Sequence, residues 1–184
     1  FGVTGTNGKT STVFFLHQLL LHMGVKAGLS SSAFTQINKH RVDSALTTPE
    51  APRLHNLLFE MADADTKAAV VEVSAQALVR HRVDGLVFDV AGFTNLTRDH
   101  LDEFGTMENY LSVKAMLFTK KFSRRSVINV EDRFGEQMLD LARAESPEGS
   151  VGIGQNQDYS FEVTAAGIKI TGRQELLLAR DIGP

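Results

Sequence analysis

Seven residues near the start of the chain, Thr4-Gly5-Thr6-Asn7-Gly8-Lys9-Thr10, constrain it more than any other feature of its 184 residues. An apolar lead-in with Phe1 and Val3 precedes them, and helical spacing follows. Glycines at 5 and 8 let the backbone turn tightly and bring N–H groups toward phosphate oxygens. Lys9 adds a point charge for the terminal phosphates, and the Thr10 hydroxyl can sit on a divalent cation. A helix beginning near Thr10 would point its positive end at the same anion. The general pattern G-x-x-x-x-G-K-[ST] is not fully met, because Val3 stands five before Gly8. A glycine-rich strand-to-helix turn would explain neither the lysine nor the threonine. The segment therefore predicts a loop that grips a nucleoside triphosphate.

Composition narrows the partners. The formal net charge is −3 and no basic block occurs, which argues against nucleic acid or an anionic membrane as the main partner. With no cysteine there is no disulfide, thiolate metal site or cysteine nucleophile. No signal peptide and no membrane-length apolar run can be found. The expectation is a soluble, cytoplasmic monomer. Phe1 falls at or inside the strand that should feed the loop, with no initiator methionine before it, so a piece cut from a longer protein is expected.

Strand-like and helix-like segments alternate. Residues 10–23 carry Val13, Leu16, Leu19, Leu20 and Met23 at helical spacing, with Gly24 as the stop. Residues 26–29 read as a short strand and 30–44 as a loop or small hairpin. Residues 49–62 return to helix, with Leu54, Leu57, Leu58 and Met61 on one face. Residues 68–73 form a strand with one acid inside it, 87–93 a strand, 107–121 a helix, 126–130 a strand and 131–144 a helix. This alternation predicts an α/β fold, a mostly parallel sheet flanked by helices with ligands at the carboxyl ends of the strands. After Gly149 the pattern changes. Short segments around Phe161, Ile168 and Leu176, separated by Gly167 and Gly172, predict a small antiparallel appendage.

Four clusters at strand ends carry possible chemistry. Glu72 is a carboxylate in an apolar strand, which is costly unless paired or bound to metal. Beside the Thr10 hydroxyl it would suit Mg²⁺, although an acid on the solvent side of an alternating strand is the alternative. The run Phe93 to Asp102 leaves a strand dense in polar groups. There His100 could ligate a metal with Asp99 or Asp102 orienting it, or simply lie on the surface. Thr48 and Pro49 read as N-cap and first residue of a helix, a reading that leaves room for an anionic ligand at the same place. Lys114 sits in a helix with Tyr110 and Leu117, where periodicity does not reject a snorkelling surface lysine.

Taken in order, Gly5-Thr6-Asn7-Gly8-Lys9-Thr10, Glu72-Val73-Ser74, Thr94-Asn95-Leu96-Thr97-Arg98-Asp99-His100-Leu101-Asp102, Tyr110-x-x-x-Lys114-x-x-Leu117-Phe118 and Ile128-Asn129-x-x-Asp132 resemble the central domain of the Mur ligases. These are ATP-dependent enzymes that add amino acids to the peptidoglycan precursor. Leu46-Thr47-Thr48-Pro49-Glu50 and the run Leu78 to Gly85 look most like the MurE-type branch. The resemblance implies that Gly5, Thr6, Asn7, Gly8, Lys9, Thr10 and the adjoining Ser11 hold ATP, with Asn129 near the adenine. It implies that Thr10 and Glu72 hold the Mg²⁺ of ATP. A second Mg²⁺ would lie at Glu72, His100 and Lys114, the lysine being a carbamate. Lys9, Glu72, His100 and Lys114 would form the catalytic set. Thr47, Thr48, Ser74, Arg82 and Arg80 match positions that contact a UDP-muramoyl-dipeptide, and at Arg80 some relatives carry glutamine. The stretch Ser30-Ser31-Ser32 departs from a segment that often contains Gly-Thr, which leaves its contacts open.

The reaction so implied joins a diamino acid to UDP-N-acetylmuramoyl-L-alanyl-D-glutamate through an acyl phosphate. The chain would be a truncated central domain over 1–184. An N-terminal UDP-binding domain, a C-terminal ligase domain and the segment leading to the last central helix would all lie outside it. The identity of the diamino acid, diaminopimelate or lysine, would be set in that C-terminal domain, and the fragment alone should not ligate. Two rivals stand beside this reading. One is another ligase of the superfamily, of the folylpolyglutamate or cyanophycin synthetase kind. Residues 46–50 and Arg80-His81-Arg82 argue against the folate enzyme. The other is a non-catalytic nucleotide-binding partner, against which the joint presence of Lys9, Glu72, His100 and Lys114 argues.

Overall fold

The computed structural model describes residues 1–164, 167–172 and 176–179. The chain begins with β1 (Gly2–Thr4), the loop, and α1 (Lys9–His22). Next come β2 (Ala27–Ser30) and a hairpin of β3 (Phe34–Ile37) and β4 (His40–Asp43), turned tightly at Asn38 with φ 52°. After α2 (Ala51–Asp63), β5 (Ala68–Glu72) leads into the short α3 (Ala75–Val79). The strand β6 (Ala91–Phe93) runs into the polar loop, the single turn α4 (Leu101–Phe104) and α5 (Met107–Ala115). A further strand–helix unit, β7 (Ser126–Asn129) and α6 (Arg133–Glu145), precedes β8 (Ser150–Ile153). The chain then forms β9 (Ser160–Thr164), β10 (Gly167–Thr171) and β11 (Leu176–Ala179).

The first eight strands make one sheet in the order β4-β3-β2-β5-β1-β6-β7-β8, parallel except for the β3–β4 hairpin. The last three form a separate antiparallel sheet. The expected α/β architecture with its appendage is therefore the one observed. From β1 the chain steps one way across the sheet to β2, then steps back from β2 to β5 and onward to β8. Right-handed crossovers put α1 on one face and the later helices on the other. Two cores follow from this. Val3, Val13, Leu29, Phe34 and Val70 pack beneath α1. Leu54, Val71, Val73, Leu78, Phe93, Leu117, Ile128 and Met138 belong to the larger core on the opposite face.

Alternation along β5 then decides the chemistry. Val71 and Val73 point into the larger core and Val70 points beneath α1. Glu72 shares the side of Val70, at the carboxyl end of the strand, and meets the first turn of α1. It is 2% exposed, so the solvent-facing reading of this acid does not hold.

Several sequence expectations shift. The helix predicted from Pro49 begins at Ala51 after Glu50, with Pro52 in its first turn. Thr48 is not its N-cap, because that hydroxyl is spent on the neighbouring strand. The expected strand 87–93 is shorter, and Phe88 makes only an isolated bridge with Ser123. The expected helix 107–121 ends as a 3-10 turn at Met116–Phe118. Ser150–Ile153, which lies after the pattern change at Gly149, is the last parallel strand of the main sheet. On α1, Leu19 and Met23 are exposed, and His17 is buried beside Val13 instead. Among the described residues, no helix is long and apolar enough to cross a membrane.

Candidate functional site

The loop between β1 and α1 is built before any ligand arrives. Gly5 lies at φ +148° and Gly8 at φ +80°, both regions that favour glycine. At Gly5 a Cβ would stand 1.9 Å from Thr94 Oγ1, so the position also demands the absence of a side chain. The run after β6 clasps this loop. Thr6 N donates to Asn95 O at 2.9 Å and Asn7 N to Asn95 Oδ1 at 2.9 Å. Thr94 Oγ1 donates to Asn7 O at 2.7 Å, and Asn7 Nδ2 to Thr97 Oγ1 at 3.0 Å. With the Thr6 and Asn7 amides committed in this way, an anion is left the amides from Gly8 onward. These head α1, whose N-cap makes no side-chain hydrogen bond.

Lys9 folds back so that Nζ donates to Thr6 O at 2.9 Å. Burial holds its pKa below the usual lysine value, while Glu72 and Asp99 pull the other way. Thr10 Oγ1 donates to Glu72 Oε2 at 3.0 Å. Ser32, just past β2, gives its amide to the same oxygen at 2.9 Å and its hydroxyl at 3.1 Å, and that hydroxyl lies 2.9 Å from Thr10 Oγ1. Ser11 is exposed on the outer side of α1. Asn129 Nδ2 donates to Thr94 O at 2.9 Å, at the edge of a cleft of about 360 Å³ that also touches Gly8, Thr12 and Glu131.

Behind the loop, Lys114 is 1% exposed, which overturns the surface-lysine reading. Its Nζ donates to Gly5 O at 2.7 Å and lies 4.4 Å from the Tyr110 ring centroid. Burial, with Lys9 adding to it, pushes its pKa down to about 7. His100 is exposed at φ 51°, with Nε2 3.5 Å from Asp99 Oδ2 and its ring edge-on to Tyr110. Thr10 and Glu72 thus come together, whereas His100 and Lys114 each meet the Tyr110 ring and neither hydrogen-bonds to Glu72. No three histidine or carboxylate groups among the described residues converge on one point.

The remaining predicted positions surround the end of β5. Thr48 Oγ1 donates to Glu72 O at 2.8 Å and accepts from Ser74 N at 3.0 Å, while Ser74 Oγ caps α3 by accepting from Ala77 N. Arg82 is 7% exposed and holds Thr48 O at 3.1 Å and Glu50 Oε1 at 2.5 Å. Its guanidinium therefore braces residues 48–50. Thr47 is half-buried beside them. Arg80 is exposed and pairs with Glu103, which also accepts from Gln76. Sequence reasoning noted Ser30-Ser31-Ser32 only as a departure from the family pattern and gave Ser32 no role. The available signal was three hydroxyl residues at the end of a strand whose neighbour ends in Glu72.

The Mur ligase middle domain model matches residues 3–177. The chain is 47% identical over 163 residues to the UDP-N-acetylmuramyl-tripeptide synthetase of Leifsonia xyli, a match covering 89% of this chain and 32% of that protein. It is 46% identical over 138 residues to the UDP-N-acetylmuramoyl-L-alanyl-D-glutamate–2,6-diaminopimelate ligase of Xylella fastidiosa, covering 75% of this chain and 28% of that one. A solved structure of a UDP-N-acetylmuramoyl-L-alanyl-D-glutamate–2,6-diaminopimelate ligase superposes with a TM-score of 0.83 at 26% identity, over 96% of this chain and 38% of that one. The chain thus spans about a third of the length of the curated relatives it matches. On its fold, its loop and these matches, the chain belongs to the Mur ligase middle domain family.

Proposed function

We propose that the chain is the ATP- and Mg²⁺-binding central domain of a longer, MurE-type ligase. That enzyme joins a diamino acid to UDP-N-acetylmuramoyl-L-alanyl-D-glutamate, and the N-terminal UDP-binding and C-terminal ligase domains would flank this one. The observation that carries the reading is the meeting of Thr10, Glu72 and Ser32 at the head of α1, beside a loop already shaped for phosphate.

These donors fit a hard cation. They are a buried carboxylate and two hydroxyls, all oxygen, with nothing soft among them. Bound there, Mg²⁺ would neutralise charge on the β- and γ-phosphates. A second ion would take Glu72, His100 and Lys114, the last after its neutral amine has added CO₂ and released a proton. Lys9 moves from Thr6 O to the terminal phosphates, where its point charge stabilises the transferring group. The amides of Gly8, Lys9 and Thr10 fix the phosphate chain, and Asn129 lines the adenine end of the cleft. Thr47, Thr48, Ser74, Arg80 and Arg82 form the substrate side, with Arg82 acting by holding residues 48–50 in place.

A D-glutamate carboxylate oxygen then bonds to the γ-phosphorus as the bond to the ADP oxygen breaks. The incoming amine bonds to the acyl carbon, phosphate leaves, and the amine loses a proton. No side-chain nucleophile is needed, in keeping with the absence of cysteine.

Phosphate release by the full-length protein tests the reading. Release should require both a UDP-muramoyl-dipeptide and a diamino acid, and Lys9→Ala should abolish it with the fold intact. Equal stimulation by a folate with glutamate would move the protein to the folate branch. Undiminished turnover by Lys9→Ala would remove the phosphate-loop assignment.

A further inference from the structure

Arg82 carries its charge into the interior, unlike the other basic residues that form ion pairs. Its side chain is 8% exposed, against 41% to 71% for the rest among the described residues. Such burial is costly, and an apolar side chain of similar volume would often serve a core better. Nη1 donates to Thr48 O at 3.1 Å and Nη2 to Glu50 Oε1, while Nε is sealed in with no partner among the described residues. Glu50 is the one acid among the described residues that pairs with this guanidinium, and its own side chain is 61% exposed. The acid therefore covers the arginine from the solvent side.

Glu50 also has a second place to rest. It is the N-cap residue of α2, yet that helix start makes no side-chain cap bond. The Arg53 amide heads the helix without an intrahelical partner, and the helix dipole favours a carboxylate there. The Arg53 side chain lines the same pocket as Glu50, about 310 Å³ in volume, together with Leu46 and Pro49. It spends Nη1 on Glu60 at 3.0 Å and keeps Nε and Nη2 for another acid. An acid three residues before a base on a helix pairs with it readily. The carboxylate thus stands between a buried arginine and an exposed one, with open space beside it.

We propose that Glu50 is a place-holder on Arg82, and that a substrate carboxylate displaces it. This rests on the reading above, in which Thr47, Thr48, Ser74 and Arg82 form the substrate side. The D-glutamate end of the dipeptide brings two carboxylates, one that attacks the γ-phosphorus and one that does not react. The unreactive one takes the place of Glu50 on Nη2, and Glu50 turns to the head of α2 and to Arg53. An anion sits on the buried guanidinium before and after, so its charge is never left uncompensated. Arg82 keeps Thr48 O on Nη1 throughout, so the loop stays braced. The exchange is also selective. A carboxylate matches what it displaces, whereas a neutral amide would leave the buried charge unpaired.

Calorimetric binding of UDP-muramoyl-dipeptide to the full-length protein tests this, beside an analogue whose unreactive carboxylate is an amide. Wild type should bind the amide analogue about tenfold or more weakly than the dipeptide. Glu50→Gln keeps the bulk and a hydrogen-bond acceptor but loses the charge. It should bind the dipeptide about threefold to tenfold more tightly than wild type, because a self-occupied site lowers apparent affinity by the fraction left free. A residue that merely braced Arg82 predicts the opposite sign, weaker binding once the brace is loosened. A folded Glu50→Gln protein that binds the dipeptide no more tightly than wild type overturns the proposal, as does a wild type that binds the amide analogue equally well. If Glu50→Gln does not fold, Arg53→Gln decides: the displaced acid loses its resting place, and binding should weaken about twofold. Unchanged binding in that variant overturns the exchange. Failure of wild type to bind the dipeptide would remove the substrate reading instead. The exchange is then judged on N-acetyl-D-glutamate, followed at the Arg82 Nε–H resonance, where equal affinity in wild type and Glu50→Gln overturns it.

Discussion

Replacing Lys114 by methionine should make the protein more stable while ending its proposed activity. The native amine is 1% exposed, with a pKa of about 7 in place of 10.5. That difference corresponds to on the order of 5 kcal/mol of destabilisation wherever the native lysine is protonated. Methionine nearly matches the volume and carries no charge, but it leaves Gly5 O without its donor, which costs about 1–3 kcal/mol. The net expectation near pH 6.5 is a gain of about 2–4 kcal/mol, within the range seen when buried ions give way to apolar residues. The pH dependence makes the test sharper. Below about pH 7 both native and unfolded states hold the proton, and the penalty is full. Between about 7 and 10.5 the unfolded chain holds the extra proton, so wild-type stability rises with pH, by up to about 1.4 kcal/mol per pH unit. The methionine variant lacks that rise. Urea unfolding at pH 6.5, 8 and 9 in metal-free, CO₂-purged buffer reads both quantities. Parallel stability curves for the two proteins, or a less stable methionine variant at pH 6.5, would refute the reasoning. Lys114→Ala is a poorer stability probe, because its cavity adds about 2–5 kcal/mol of cost. It is the better functional probe in the full-length protein, where added short-chain carboxylic acids should restore part of the lost activity.

Three further outcomes are expected. Gly5→Ala should lose ATP-analogue binding in calorimetry and unfold more readily by about 1–3 kcal/mol, since its Cβ meets Thr94 Oγ1 at a φ that side chains avoid. Binding at wild-type affinity would contradict the loop geometry. Thr48→Val should cost about 1–3 kcal/mol in urea unfolding, because it leaves Ser74 N and Glu72 O without the hydroxyl that joins them. His17 is buried with its pKa held below 6.5 by burial, so protonating it opposes folding. Its stability contribution is whole above pH 6.5 and falls as the pH drops from there through the lowered native value. Wild type should therefore lose more stability than His17→Leu between pH 6.5 and 5, and equal losses would rule the histidine out as the cause.

The phosphate loop was legible because its chemistry is local: two glycines, a lysine and a threonine act within one turn. The sheet was legible for a similar reason, since strand and helix periods alternate cleanly from residue 1 to 145. What escaped depends on contacts distant in sequence. Lys114 is buried because α5 has Tyr110 and Leu111 on the inside and the loop carbonyl of Gly5 lies across from it, 109 residues away. A single helix gives no sign of that neighbour. Thr48 looked like a helix cap, but its hydroxyl is claimed by β5, 24 residues on. Ser32 meets Glu72 only because β2 and β5 are adjacent in the sheet, which local pattern does not reveal. Ser150–Ile153 was hidden by the glycine before it, which punctuates the chain but stands in the turn that leads straight into a strand. The hydroxyl-rich or charged residues near strand ends were the ones most often misjudged, because their partners come from another strand's loop.

The clasp between the phosphate loop and residues 94–97 bears on the heat and rate of nucleotide capture. A loop that must order itself on binding opposes association with lost entropy and slows it with a conformational step. Here Thr6 and Asn7 are already held by Thr94, Asn95 and Thr97, and Gly5 by Lys114, so little ordering remains to be done. The cleft beside it is lined by Val3, Phe93, Val127 and Ile153, so nucleotide capture buries apolar surface there and the heat-capacity change of binding is negative. Association should then run near the rate set by charge attraction alone, and it should slow markedly with added salt.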